Sequence, residues 1–327
     1  MGLFSKTIGL DLGTVNTRIY KEKNGIVLSE PSVVAVDRFS GKIMAVGKEA
    51  NEMVGRTPDN IVAVRPMRDG VIADFDVTRA MLRQFINLSS IGGVLKPKAV
   101  IAIPVGITEV EKRAVEEAAI TSGIKSVVFV EKPMAAALGA GVNVDETIGN
   151  MVIDIGGGTT EVAVISLGGI VSAKSIRVAG DAMDSAIINY VKKEFGIIIG
   201  DRMAEDVKLE IGNAYDIGEE KIYTVRGRDV STGLPKQENL TSQQIREAMH
   251  ENFMTIIEAV KYALEHTPPE LASDIMEKGI VLTGGGAEIA GLSNLIKHEI
   301  NIDAKVSENA NTCVVRGTGI MINRPGR

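Results

Sequence analysis

Apolar positions along this chain fall into three patterns, and each predicts a kind of element. Unbroken apolar runs at 98–103, 126–130 and 279–283 predict buried strands, and the run at 312–315 predicts a short one. Alternation over 25–46, broken at Asn24-Gly25 and Ser40-Gly41, predicts short strands joined by turns. Residues 47–64 then read as a short helix and a loop. Helical stripes follow. Val77, Met81, Leu82, Phe85 and Ile86 form one apolar face after Asp76. Thr108 and Glu111 make a capping box for a helix through Thr121 that Gly123 ends. Pro133 opens an Ala-rich helix at the position where a missing N–H costs nothing. Asp181 caps a helix carrying Met183, Ile187, Ile188, Val191 and Phe195 on one face. Further helices are predicted over 201–213, over 241–266 from the Thr241/Gln244 capping box, and over 289–300, with a polar hairpin at 221–240 turning at Gly233.

Two apolar hairpins carry candidate chemistry. Residues 151–165, MVIDIGGGTTEVAVI, run from one apolar strand through an Asp, three glycines and two threonines into another. Gly156, Gly157 and Gly158 let backbone N–H groups approach an anion, and Thr159 and Thr160 add hydroxyl donors. Asp154 would face a phosphate from the strand end, which is repulsive unless a cation such as Mg2+ lies between them. Alone, the motif also fits an ordinary glycine-rich turn. Residues 8–20, IGLDLGTVNTRIY, repeat it: Asp11 matches Asp154, Gly13 matches Gly156 and Thr17 matches Thr160, each pair separated by the same interval. Such a repeat is too long for a solenoid unit and suits two related halves gripping one nucleotide from opposite sides. The second half also repeats the first in order: hairpin, insertion, strand to loop to helix, closing segment.

Composition narrows the classes. The chain has 327 residues with 45% apolar content, enough for two cored domains. Its net charge is −6, Lys and Arg are scattered and Trp is missing, which argues against nucleic acid as a partner. Cys313 stands alone in an apolar run, where a buried inert thiol in a reducing compartment is expected. His250, His266 and His298 lack ligand spacing. No apolar run approaches a membrane span, so a soluble, cytoplasmic protein is expected.

With the two hairpins, the small-residue helix and TGGGAEIAGL in this order, the chain resembles the actin, sugar kinase and heat-shock chaperone ATPase superfamily. IGLDLGTVNT, NIVAVRPMRDGVIADFDVT, PMAAALGAG, VIDIGGGTTEVAVISLGGIV, MDSAIINYVKKEFG and LTGGGAEIAGL are similar to the bacterial actins of the MreB family over nearly the whole chain. The resemblance implies an α/β, actin-like ATPase fold of two ribonuclease-H-like domains, with ATP or ADP and Mg2+ between them. It divides the chain into 1–32 with 66–143 and 314–327, a small insertion at 33–65, 144–181 with 243–313, and a second insertion at 182–242. It implies that Gly13, Thr14, Val15 and Asn16 form the first phosphate loop, Gly156 to Thr160 with Gly180 the second, and Asp11 and Asp154 the metal side. Glu205 and Lys208 fall on the adenosine side, where an ordinary surface ion pair is the alternative, and Gly284, Gly285, Gly286 and Ala287 form the loop that closes there.

One departure bears on catalysis. Members of the family carry two glutamates before the proline of the crossover helix, the second associated with orienting the attacking water; this chain has Glu131 and then Lys132. A protonated lysine cannot accept a hydrogen bond from water, although its charge could hold a phosphate. Thr159 is its candidate partner at the water, and Glu131 the substitute acceptor, disfavoured because adjacent helical residues point about 100° apart. The expectation is a filament-forming ATP-binding protein of cell shape or motility with slow hydrolysis. A small-molecule kinase of the same superfamily is the alternative, and a chaperone ATPase a weaker one. Self-assembly is expected through the small subdomains lengthwise and through the helix from Thr108 laterally, with Val110 either at that contact or in the core. Ile91, Val94 and Leu95, with Leu3 and Phe4, are candidate peripheral membrane contacts.

Overall fold

The computed structural model describes residues 7–89 and 96–324, so the candidate membrane contacts Leu3, Phe4, Ile91, Val94 and Leu95 lie outside the described residues. Among the described residues no helix is long and apolar enough to cross a membrane.

Two five-stranded sheets share one topology. In the first, Thr7–Leu12 pairs antiparallel with Asn16–Lys21, which pairs antiparallel with Gly25–Pro31; on its other side Thr7–Leu12 runs parallel to Lys98–Ile103, which pairs with Ser126–Glu131. In the second, Asn150–Ile155, Thr160–Ser166 and Gly169–Ile176 form the meander, and Ile280–Thr283 and Ala304–Val306 are the parallel strands. The internal repeat is therefore a repeat of sheet order as well as of hairpin sequence. Each meander is followed by an inserted small sheet: Val34–Asp37, Ile43–Val46 and Ile61–Val64 in the first half, Ile197–Ile198, Ile222–Asp229 and Pro235–Thr241 in the second.

Helices cover both sheets and bury separate cores. Phe75–Leu88 and Glu109–Thr121 place Met81, Leu82, Phe85, Val115 and Ala118 against the first sheet. Gly180–Phe195 and Ser242–Glu265 place Met183, Ile187, Phe253, Ile256 and Ile257 against the second. A third core lies where the halves meet. Lys132–Gly139 packs there with Val100 and Ala102 of the first sheet and with Val152, Ala163 and Ile165 of the second.

That junction corrects the reading of residues 312–315. They do not form a strand: Cys313 begins the helix Cys313–Met321, preceded by a short 3-10 turn over Ala310–Thr312. Tertiary packing overrides the β propensity of Cys-Val-Val. The two helices cross in backbone contact, since a Cβ on Gly139 would stand 1.8 Å from the Cys313 carbonyl oxygen and one on Gly317 would stand 1.8 Å from that of Ala135. Cys313 is buried, as expected of an inert thiol, although on a helix.

Other differences are smaller. Ser126–Glu131 is an edge strand rather than a buried one, with Val128 52% exposed. The segment 47–64 contains a strand, Ile61–Val64, as well as the helix Lys48–Met53. Pro269–Lys278 is a helix that the apolar pattern did not announce. The helix expected after Asp76 begins at Phe75 and is capped by Asp74, which accepts a hydrogen bond from the Val77 N–H at 3.1 Å. The capping boxes at Thr108/Glu111 and Thr241/Gln244 form as the sequence indicates.

Candidate functional site

The two glycine hairpins turn in the same way. The Gly13 N–H donates to the Asn16 carbonyl at 3.1 Å, and the Gly156 N–H to the Thr159 carbonyl at 2.9 Å. Ser32, which the sequence reading passed over, braces the first turn: its hydroxyl donates to the Gly13 carbonyl at 2.7 Å and lies 2.9 Å from Thr17 Oγ1. The turns meet tip to tip. A Cβ on Gly157 would stand 2.2 Å from Val15 Cγ2, and one on Gly158 would stand 2.5 Å from Thr14 Oγ1, so glycine is what lets the loops approach.

Between them opens a cavity of about 360 Å3, within the range of small-molecule sites. One side is lined by Gly13, Thr14, Val15 and Asn16 from the first loop and by Gly156, Gly157, Gly158 and Thr159 from the second. Asp11 and Asp154 line it from the two strand ends, and Lys132 from the crossover helix. Gly180, Glu205 and Lys208 line the other side with Gly284, Gly285 and Gly286. Residues from both halves of the sequence thus converge on one space.

Three of the expected residues do not line it. Thr160 is fully buried and its hydroxyl donates to the Val178 carbonyl at 2.7 Å, so it fastens the strand. Ala287 is fully buried in the second core. Glu131 is exposed as the last, extended residue of the strand Ser126–Glu131, while Lys132 begins the helix Lys132–Gly139 and is buried, so the two are separated by the strand-to-helix junction rather than by the helical turn expected of them. Two local expectations also change. Asp181 caps nothing with its side chain but pairs with Arg65 at 3.2 Å, tying the two halves together beside the cavity. Lys208 does not pair with Glu205: its ammonium lies 2.8 Å from Asp184 and donates to the Gly180 carbonyl at 3.1 Å.

The electrostatics follow from burial. Desolvation pushes the Asp154 carboxyl up to about 6, against a 2.8 Å hydrogen bond donated by the Thr283 hydroxyl and the positive charge of Lys132. Burial likewise raises Asp184 to about 6, opposed by Lys208. Glu161, fully buried beside the second loop, is raised by desolvation; it accepts hydrogen bonds from the Ser175 hydroxyl at 2.9 Å and from the Val105 N–H of the other half at 3.2 Å. The donor chemistry fits a hard divalent ion. Asp11 and Asp154 are buried carboxylates lining the cavity beside the two glycine loops, a donor set that suits a hard cation whose remaining ligands are anionic oxygens and water. Among the described residues no group of three or more His, Cys, Asp or Glu could hold a metal without that help.

Two sheets of identical order, each offering a glycine-rich hairpin to one cleft, define an actin-like fold with a nucleotide-type site. The chain belongs to the MreB/Mbl family, whose model, described as MreB/Mbl protein, matches residues 5–326. It is 49% identical over 322 residues to the cell shape-determining protein Mbl of Bacillus subtilis (strain 168), covering 98% of this chain and 97% of that protein. It is 51% identical over 324 residues to the cell shape-determining protein MreB of Escherichia coli (strain K12), covering 97% of this chain and 93% of that protein. Among solved structures it is similar to MreB5 of Spiroplasma citri bound to AMPPNP, with a TM-score of 0.94, 38% identity, and coverage of 98% of this chain and 96% of that one.

Several cleft residues lie outside those that the sequence motifs single out. Arg18, Asp181, Asp184 and Asn311 line the cavity beside those expected. A signal for Arg18 was present: it sits on the same strand face as Asn16, two residues past the loop, and directly opposite Asp11 in the hairpin register.

Proposed function

We propose that this chain is a cytoskeletal actin of the cell-shape class that binds ATP or ADP with Mg2+ in the interdomain cleft, assembles into filaments in the cytoplasm, and hydrolyses ATP slowly. The observation that carries the nucleotide reading is the tip-to-tip meeting of two like-built glycine hairpins over one cavity. The filament reading rests on family membership over nearly the whole chain and on relatives named for determining cell shape. A solved relative binds AMPPNP and another structure of it binds ADP, which supports the same ligand class here. Nothing favours the kinase alternative. We further propose the four-part division at 33–65 and 182–242, because each insertion contains its own small sheet.

Within the cleft the loop N–H groups hold the phosphates, and Lys208, fixed by Asp184 and the Gly180 carbonyl, stands at the adenosine side. Mg2+ bound near Asp11 and Asp154 would neutralise phosphate charge. Thr159 is the cleft hydroxyl closest in role to a water-positioning group, and Lys132 brings a charge rather than an acceptor to the place where an attacking water must be held. Slow hydrolysis follows from that substitution.

Calorimetric ATP binding with Mg2+ and in chelator tests the site. Asp154→Ala is expected to weaken binding much more with Mg2+ than in chelator, because the carboxylate acts through the cation. Equal weakening in both buffers would remove its metal role.

A further inference from the structure

Glu161 is a fully buried carboxylate whose partners come from both halves of the molecule. It stands opposite Asp154 in the hairpin register and two residues past Thr159, and alternation along a strand turns Thr159 and Glu161 to the same face. Its Oε1 accepts the Ser175 hydroxyl of the neighbouring strand at 2.9 Å, and its Oε2 accepts the Val105 N–H of the first half at 3.2 Å. Burial raises its carboxyl, while the charge of Lys132 and hydrogen bonds from Ser175, Val105 and Thr159 oppose that rise. An ionised carboxylate offers only lone pairs, so each of these three hydrogen-bonding groups donates to it.

Thr159 lines the cavity in front of that carboxylate. A hydroxyl has one proton and two lone pairs. With its proton committed to Glu161, Thr159 offers the cavity lone pairs alone. Thr14, which lines the same space from the opposite loop, is held the other way: its oxygen accepts the Gly70 N–H at 3.2 Å, which leaves its proton for the cavity. The two threonines therefore present opposite polarity, and the group behind each one sets it. Lys132 lines the cavity too, but a protonated amine has no lone pair to give.

We infer that Glu161 is a positioning residue: it holds the Thr159 hydroxyl with its lone pairs toward the cavity, so that Thr159 accepts a hydrogen bond from the water that attacks the nucleotide. The inference rests on the nucleotide reading above. No proton leaves Thr159; the carboxylate fixes only where that proton points. One of the three donors, the Val105 N–H, belongs to the other half, so the carboxylate is fully held only while the two halves stand together as they do here. The acceptor that Lys132 cannot supply is thus supplied from the second loop, by a residue that does not itself touch the water.

Phosphate release over a single turnover at saturating Mg2+ and ATP decides it, with ATP affinity and the thermal midpoint measured on the same preparations of the unaltered chain, Glu161→Gln, Thr159→Ser and Thr159→Ala. Gln keeps the shape of the side chain but turns one accepting oxygen into a donor and removes the charge that holds the Thr159 proton. Glu161→Gln is expected to slow release at least about tenfold, as loss of a charged hydrogen-bonding partner does, while ATP affinity changes less than about twofold. Thr159→Ser, which keeps the hydroxyl, retains most of the rate, and Thr159→Ala loses at least as much as Glu161→Gln. A smaller loss in a folded, ATP-binding Glu161→Gln overturns the inference, as does a loss of rate matched by an equal loss of ATP affinity. So does a Thr159→Ser as slow as Thr159→Ala, or a Thr159→Ala as fast as the unaltered chain. If Glu161→Gln does not fold, Ser175→Ala takes its place: it removes one of the three donors from outside the cavity and is expected to slow release about threefold, the worth of roughly one neutral hydrogen bond; unchanged release then overturns the inference. Should the unaltered chain bind no ATP, or bind it and release no phosphate, the reading on which the inference rests fails and takes the inference with it, an outcome seen before any variant is compared.

Discussion

Under the proposed function, Lys132 is the residue expected to limit the rate of ATP hydrolysis. A water aligned for in-line attack needs an acceptor within hydrogen-bond reach, and losing a positioning group costs on the order of 10² or more in rate. Lys132→Glu is therefore expected to raise phosphate release by about that factor with little change in ATP affinity, and Thr159→Ala in the same background to remove the gain. Unchanged turnover in a folded, ATP-binding Lys132→Glu would show that Lys132 does not limit the reaction. Asp154 adds a pH signature. Burial lifts its carboxyl from the usual 3.8 to about 6, so the neutral acid is the form the fold favours. Its stabilising contribution is full below the unfolded value and is lost as pH rises through the folded one. The thermal midpoint of the nucleotide-free protein, relative to Asp154→Asn, is expected to fall from about pH 4 to about pH 7; a constant gap contradicts this. The loop residues were legible because glycine, Asp and Thr at repeated spacing have few other uses together. Asp184 and Ser32 were not, since each owes its role to a partner distant in sequence, Lys208 and Gly13 respectively. Thr160 and Ala287 were misplaced for the converse reason: adjacency in a motif does not fix which way a side chain points on a strand or a tight turn.

Among elements, those announced by local chemistry came through the sequence most clearly. Both capping boxes form, and the hairpin at 221–240 is there, because their hydrogen bonds close within a few residues. The helix Cys313–Met321 was hidden because its formation depends on Lys132–Gly139 lying against it, with Gly139 and Gly317 at the crossing. Edge placement of Ser126–Glu131 was equally invisible, since an apolar run does not say how many neighbours a strand has. The helix Glu109–Thr121 carries a consequence for assembly. Val110, at its first turn, is 78% exposed, which removes the core reading and leaves an apolar side chain available to a second protofilament. Val110→Glu is expected to leave nucleotide binding and thermal stability unchanged while electron micrographs show single rather than paired protofilaments. Paired filaments indistinguishable from the parent would exclude this face from the lateral contact.

At the scale of the molecule, two like halves share the core around Lys132–Gly139 and are tied further by specific contacts around the cleft. Arg65 pairs with Asp181, the Val105 N–H reaches Glu161, and the loops meet at Val15/Gly157 and Thr14/Gly158. Under the proposed function, a ligand bridging both loops would add to these ties and restrict the angle between the halves, which would couple occupancy of the cavity to the stacking of subunits. The duplicated order of elements made this architecture readable from sequence, because a repeated hairpin fixes where each sheet begins. The most direct measurement of the account is sedimentation of the protein at micromolar concentration with ATP, with ADP and without nucleotide, with phosphate release followed in the same samples. Pelleting is expected to depend on which nucleotide is present and to precede most phosphate release. Protein that binds ATP yet stays in the supernatant under every condition, or that pellets equally in all three, would contradict it.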